Sequence, residues 1–322
     1  MQRIKLTNTE LNVSRICLGT MTFGAQTDES DAARMIDLCR DNGVNFLDTA
    51  NMYSAGAAEA FLGRIIGKRR SDFVLASKVG IQVGDRKDTA GLSAHNILAQ
   101  AEDSLRRLQT DYLDLYYFHA PDTGTPMEES LGAMQRLIDQ GKVRYAAASN
   151  YASWQACKLA WIAERDKLPA TPVSQQMYNL LARGLEQEFV PAAADLGISI
   201  VAYNPLAGGL LTGKHDGVHP VPGSRFDGND HYQNRYWHRE YFEAVAALAE
   251  IAAEADRSLL SLALTWLLHH TNTACVILGA SKVGQLEADL QAAANGPLPD
   301  DAIRRIDTIW HNLRGVTPIY NR

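Results

Sequence analysis

Val44-Asn45-Phe46-Leu47-Asp48-Thr49-Ala50-Asn51-Met52-Tyr53 is an apolar, strand-like run that ends in a carboxylate, with a phenol five residues beyond it. With Phe46 and Leu47 in a central strand, Asp48 lies at its carboxyl end and Tyr53 on the following loop, where an α/β barrel keeps its chemistry. Two later runs repeat the arrangement. Phe73-Val74-Leu75-Ala76-Ser77 delivers Lys78, and Tyr112-Leu113-Asp114-Leu115-Tyr116-Tyr117-Phe118 delivers His119. Polar groups of four different kinds thus terminate three strands, which packing alone does not require.

Working outward, strand and helix alternate along the chain, the pattern of parallel β/α units. Strands are expected around 44–48, 73–77, 112–118, 143–148, 172–176, 198–203 and 273–278, and one near Cys17 brings the count to eight. Helices are expected at 57–67, 93–108, 127–140, 153–167, 185–196 and 283–294, and over 239–270 with a break near Asp256-Arg257. No Pro/Ser-rich linker or close repeat divides them, so the economical reading is one (β/α)8 barrel domain over 1–322. Residues 1–12 alternate around Thr7-Asn8-Thr9 as a hairpin, a lid on the barrel's amino end. The segment 204–238 after the seventh strand exceeds ordinary connections, and loops of that length are usually functional. The chain ends in a helix near 300–313 and a tail with Pro318 and Tyr320.

Composition bounds the function. The 322 residues include 46% hydrophobic ones, enough to fill a core when roughly three quarters of the unfolded surface is buried. With 31 Lys+Arg against 37 Asp+Glu the net charge is -6, which offers no bulk basic surface for nucleic acid. Cys17, Cys39, Cys157 and Cys275 are far apart, with no metal-ligand spacing, and fit a reducing compartment. No stretch reaches the roughly twenty apolar residues of a membrane span, and the start Met1-Gln2-Arg3-Ile4-Lys5 lacks a long apolar region, so a cytoplasmic location is expected. A homo-oligomer is left open.

A phenol is a poor acid at neutral pH, with a reference pKa of about 10. An ammonium beside it favours the phenolate and makes the tyrosine a usable proton donor. Lys78 can supply that charge, Asp48 can hold Lys78, and His119 can donate to a substrate oxygen. Tyr53 and His119 would then form a small oxyanion site that polarises a carbonyl. Nothing here supplies reducing equivalents, so a cofactor is required.

These four residues, in this order at strand ends, closely resemble the tetrad of the aldo-keto reductase superfamily, in its bacterial-type branch. The resemblance runs from about 12 to 292 and takes in Asp-Thr-Ala-x-x-Tyr at 48–53, Ser149-Asn150, Gln175-Gln176, the run from Tyr203 to Lys214, Gly279-Ala280-Ser281 and Gln285. It implies an NADPH-dependent reductase of a small aldehyde or ketone, with Asp48, Tyr53, Lys78 and His119 catalytic and no metal. Ser149, Asn150 and Gln175 or Gln176 would hold the carboxamide of NADP(H), and Tyr203 would stack on its ring. Pro205, Leu206, Gly208 and Leu211 lie in the long loop that would close over the pyrophosphate, where Lys214 and Arg225 bring positive charge and, with Ser281 and Lys282, would set a preference for NADPH over NADH. Ser281 and Lys282 would meet the 2'-phosphate, Gly279 would line the cofactor beside them, and Gln285 and Asp289 would face the adenine. Phe23, Met52, Tyr236 and Trp237 are candidate walls of the substrate cavity.

Two places depart from the family pattern. Ser54 stands where the family often has glycine, and Ala288-Asp289 where many relatives have Glu-Asn. The stretch Leu206 to Lys214 also resembles potassium-channel β subunits, which implies an NADP(H)-binding regulatory subunit as the alternative. A third reading takes Lys78 as the Schiff-base lysine of a barrel isomerase or aldolase.

Overall fold

The computed structural model describes residues 1–317, so Pro318 and Tyr320 lie outside the described residues. β1 (Arg3–Lys5) and β2 (Asn12–Ser14) form the expected antiparallel hairpin, Ile4 opposite Val13. Eight parallel strands then close a barrel: β3 (Ile16–Gly19), β4 (Phe46–Asp48), β5 (Val74–Val79), β6 (Leu113–Phe118), β7 (Val143–Ser149), β8 (Val173–Met177), β9 (Ser199–Tyr203) and β10 (Thr273–Gly279). Closure comes from β10 pairing with β3, Ile277 opposite Cys17.

Strand alternation positions the site. Phe46, Ala76, Tyr117, Ala147, Val173 and Val201 pack into one buried cluster with Leu6, Leu11 and Val13 of the hairpin. Side chains two residues apart on a strand share a face. The residues two positions on are Asp48, Lys78, His119, Ser149, Gln175 and Tyr203. An apolar layer therefore fills the barrel, and the next layer towards its carboxyl end is polar. The hairpin covers the opposite end, where Thr7 N donates to Ser199 Oγ (2.8 Å) and Ser14 N to Asn45 Oδ1 (2.7 Å), both groups at or near strand starts.

Helix boundaries follow local chemistry. Ser93 caps Ala94–Leu108 by accepting from Asn96 N. The long helical stretch breaks as expected, into Arg239–Glu254 and Leu259–His269, with Asp256 left-handed (φ 54°) and Ser258 capping the second helix. Three expectations are corrected. Lys78 lies within β5 rather than after it, because pairing continues through Lys78 opposite Tyr117 and Val79 opposite Phe118. The helix expected over 185–196 is only Phe189–Asp195, preceded by a 3₁₀ turn at Gly184–Glu186. Pro191 explains this: it has no N–H, and its ring fits only the first turn of a helix. The loop 204–238 carries a helix of its own, Asp230–Tyr236.

The chain divides into two compact units. The first, Met1–Gln176, Leu185–Tyr203 and Asn272–Glu287, carries the hairpin and the barrel. The second comprises Met177–Gly184, Asn204–Thr271 and the residues from Ala288 onward.

Candidate active site

Lys78 has no solvent exposure, and its ammonium is shared among three oxygens. It donates to Asp48 Oδ1, to the Thr49 carbonyl (2.8 Å) and to the Tyr53 hydroxyl (3.2 Å). The other Asp48 oxygen accepts from Gln175 Nε2 at 2.8 Å, so both lone-pair sides of a carboxylate only 2 % exposed are occupied. Burial pulls the Lys78 pKa down, but the Asp48 carboxylate, the attraction of the Tyr53 oxygen and the hydrogen bonds to both outweigh it, and the net shift is upward. Lys78 therefore stays an ammonium. That state contradicts the Schiff-base reading, which needs a free amine.

His119 stands edge-on to Tyr53, with ring centroids 6.0 Å apart and planes at 82°. Burial, and then the Lys78 charge, push its pKa down to about 3. It is neutral at ordinary pH, so it can donate one hydrogen bond but is no proton reservoir. Its Nδ1 is buried without a hydrogen-bond partner among the described residues.

A row of amides and hydroxyls continues around the barrel end. Asn150, left-handed at φ 64°, donates through Nδ2 to the His119 carbonyl (2.9 Å) and to Ser149 Oγ (3.0 Å), and accepts from the Tyr203 hydroxyl at 2.7 Å. Gln176 Nε2 points differently, to the Tyr151 carbonyl (2.9 Å) and Ser174 Oγ (3.0 Å). After β10, Gln285 Oε1 accepts from Ser281 N (3.0 Å), Ser281 Oγ (3.1 Å) and Lys282 N (3.2 Å). Three donors converge on one oxygen at the start of helix Val283–Ala293, the set a phosphate oxygen would meet there. Gly279 is open around its Cα.

The remaining candidates fall in the second unit, Phe23 and Met52 excepted. Asn204 (φ 57°), Ala207 (φ 49°), Gly208 (φ 71°) and Gly209 (φ 107°) give this segment a tightly folded start. A Cβ on Gly208 would lie 2.9 Å from Tyr232 Cδ1 and 3.1 Å from Phe226 Cζ, so glycine is required there. Lys214 Nζ lies against Gly209, Arg225 stacks on the Tyr232 ring at 5.4 Å, and Pro205 and Leu211 are buried beside a half-buried Leu206. Tyr236 is buried, its hydroxyl accepting from Asn179 (3.1 Å) and Asn204 (2.9 Å). Trp237 packs on Phe226 (5.1 Å), His215 (5.3 Å) and Phe242 (4.9 Å). These contacts pin the segment. Asp289 is buried, and burial alone raises its pKa to about 7. In the first unit Phe23 is fully buried and Met52 half-buried.

Two features of the site escaped the sequence. The Thr49 carbonyl is a backbone acceptor and has no residue-type signal. Gln175 orients Asp48, although the family resemblance implies only a cofactor role for it; its strand parity with Val173 was the available clue. Among the described residues, no cluster of three or more His, Cys, Asp or Glu could hold a metal, and no helix is long and apolar enough to cross a membrane.

The family model described as "Aldo/keto reductase family" matches residues 15–311. The chain is 38% identical to "Aflatoxin B1 aldehyde reductase member 2" of Homo sapiens, over 95% of this chain and 89% of that protein. It is 37% identical to "Uncharacterized oxidoreductase YrpG" of Bacillus subtilis (strain 168), over 99% of this chain and 98% of that one. It is also 36% identical to "Probable voltage-gated potassium channel subunit beta" of Arabidopsis thaliana, over 92% of this chain and 93% of that protein.

Proposed function

The chain belongs to the aldo/keto reductase family and is an oxidoreductase; from that premise we propose that it reduces an aldehyde or ketone to an alcohol with NADPH, and that Tyr53 is the proton donor. One observation carries the proposal: a fully buried ammonium, Lys78, lies within hydrogen-bond reach of both Asp48 and the Tyr53 hydroxyl.

Tyr53 gives its proton to the carbonyl oxygen as the carbon is reduced. The Lys78 ammonium favours the phenolate that remains, and Asp48, oriented by Gln175, keeps Lys78 charged and in place. Neutral His119 donates a hydrogen bond to the same oxygen, so two donors converge on the charge that develops there. His119 cannot replace Tyr53 as the acid, since its pKa of about 3 leaves it without an acidic imidazolium proton at neutral pH.

When bound, NADPH supplies the hydride. The residues present fit it: Ser149, Asn150 and Gln175 offer hydroxyl and amide groups to a carboxamide, with Gln176 behind them and Tyr203 for the ring. Ser281, Lys282 and the Gln285 position fit a phosphate oxygen, given the three donors that converge there. Lys214 and Arg225 enter as phosphate ligands on the strength of the sequence resemblance.

Mixing the purified protein with NADPH and a panel of aldehydes, ketones and sugar phosphates, and following nicotinamide absorbance, tests the reading. Substrate-dependent loss of absorbance is expected. The similarity to a protein named as a potassium-channel β subunit favours a second reading, a regulatory NADP(H) binder. Tight cofactor retention without turnover on any substrate would favour that reading and sink the first.

A further inference from the structure

Three consecutive residues directly behind Tyr53 are left-handed: Ser54 (φ 49°), Ala55 (φ 52°) and Gly56 (φ 96°). Two of them carry a Cβ, so the turn is held against its own preference. Three contacts hold it. Ser54 Oγ donates to the Phe23 carbonyl at 2.7 Å, which fastens the turn to the loop after β3. Arg107, from helix Ala94–Leu108, lies across Gly56, where a Cβ would be 3.0 Å from its Cδ and 3.1 Å from its Nε. Glu59, on the helix Ala57–Ile66 that starts where the turn ends, accepts from Arg107 Nε at 2.7 Å.

The same carboxylate reaches β5. Glu59 Oε1 accepts from Ser77 Oγ at 2.5 Å, and Ser77 precedes Lys78 on that strand. Glu59 and Ser77 have no solvent exposure, and Arg107 is further tied to Ser104 at 3.4 Å. A buried ion pair is poor evidence of a device for stability, because well-packed apolar residues often serve as well or better. This one joins the turn that carries Tyr53 to the strand that carries Lys78.

We propose that Glu59, Arg107 and Ser54 are positioning residues: their clamp holds the left-handed turn and so sets the Tyr53 hydroxyl 3.2 Å from Lys78 Nζ. The proposal rests on the reading of Tyr53 as the proton donor. Among the ionisable groups facing the phenol are Lys78, Asp48 beyond it and His119 edge-on. Glu59 and Arg107 act through the turn, not on the substrate.

The test follows the ionisation of Tyr53 directly, by NMR of the full-length protein labelled with 13Cζ-tyrosine, the resonance assigned with Tyr53→Phe. The double variant Glu59→Gln/Arg107→Met strands no buried charge. Its Tyr53 midpoint should rise by about one pH unit or more, since drawing the phenol away from the ammonium disfavours the phenolate. Carbonyl reduction at pH 7 should slow by about tenfold or more, while the NADPH dissociation constant holds, and Arg107→Lys should keep most of the parent behaviour. An unchanged Tyr53 midpoint in a folded double variant would overturn the proposal. If that variant does not fold, Ser54→Ala decides: it removes one tether and keeps the strain, so its midpoint should also rise, and a parental value refutes the clamp. A parent protein that reduces no carbonyl would sink the functional reading, whereas the titration needs no turnover and would still judge the clamp.

Discussion

Replacing Lys78 by Met removes the ammonium with little change in volume, and it perturbs two quantities that a second substitution separates. The first is stability. Asp48, 2 % exposed, would keep only the Gln175 amide at 2.8 Å as a side-chain donor. Breaking a buried pair by removing one partner costs about 3–5 kcal/mol. At roughly 2–4 °C per kcal/mol for a domain of a couple of hundred residues, the melting temperature should fall by about 6–20 °C. The second is catalysis. With 3.2 Å between Nζ and the phenol oxygen, the attraction of ammonium for phenolate is about 5 kcal/mol at an effective dielectric near 20. Its loss would raise the pH at which Tyr53 ionises. Reduction should slow by about 10²–10⁴, the usual worth of general acid catalysis. Adding Asp48→Asn removes the stranded carboxylate, so the double variant should regain most of the melting temperature and none of the rate. Thermal melts by circular dichroism and steady-state reduction across pH check both. A single variant as stable as the parent would refute the stranded-charge argument. A double variant with the parental rate would refute the role of the ammonium.

Much of this arrangement was legible because a barrel strand writes its geometry in steps of two. Phe46 then Asp48, Ala76 then Lys78, and Tyr117 then His119 each read as a core residue followed by a chemical one in the same direction, and the barrel turns that text into a ring. Tyr53 lies off any strand, and only its order after Asp48 marked it. Tertiary contacts hid more. Glu59 sits beside Ala58 on a buried helix face, and a carboxylate there makes sense only once Arg107, distant in sequence, is seen to reach it. At Ser54, where the family often has glycine, the left-handed φ of 49° gives the physical reason glycine suits that turn, and the hydrogen bond to the Phe23 carbonyl shows what serine adds. In the segment 204–238, length announced importance, but the packing of Tyr236, Trp237 and Phe226 depends on aromatic contacts that no periodicity encodes.

Three further predictions follow from particular residues. Tyr53→Phe should lower carbonyl reduction by about 10²–10⁴ and leave NADPH affinity nearly intact, because the phenol acts on the substrate oxygen; turnover at the parental rate would remove Tyr53 from the mechanism. Arg225→Ala should weaken NADPH by about tenfold or more and NADH hardly at all, since a charge-assisted hydrogen bond contributes roughly 1.5–3 kcal/mol and only NADPH carries the 2'-phosphate. Quenching of tryptophan fluorescence by each cofactor checks this, and equal weakening of both would move the arginine to the pyrophosphate or to loop folding. The last concerns Asp289, whose pKa is raised by burial from 3.8 to about 7. The folded protein then holds a proton that the unfolded chain releases above about pH 4, so stability is lost as pH rises towards 7 and is lowest above it. About three pH units at 1.36 kcal/mol each amount to roughly 4 kcal/mol. Asp289→Asn stays neutral throughout, so it should match the parent's unfolding free energy near pH 4 and exceed it by up to that amount at pH 8. Urea unfolding of both proteins at the two pH values decides it: a constant difference, or none at pH 8, would mean that the buried carboxyl is not protonated in the fold.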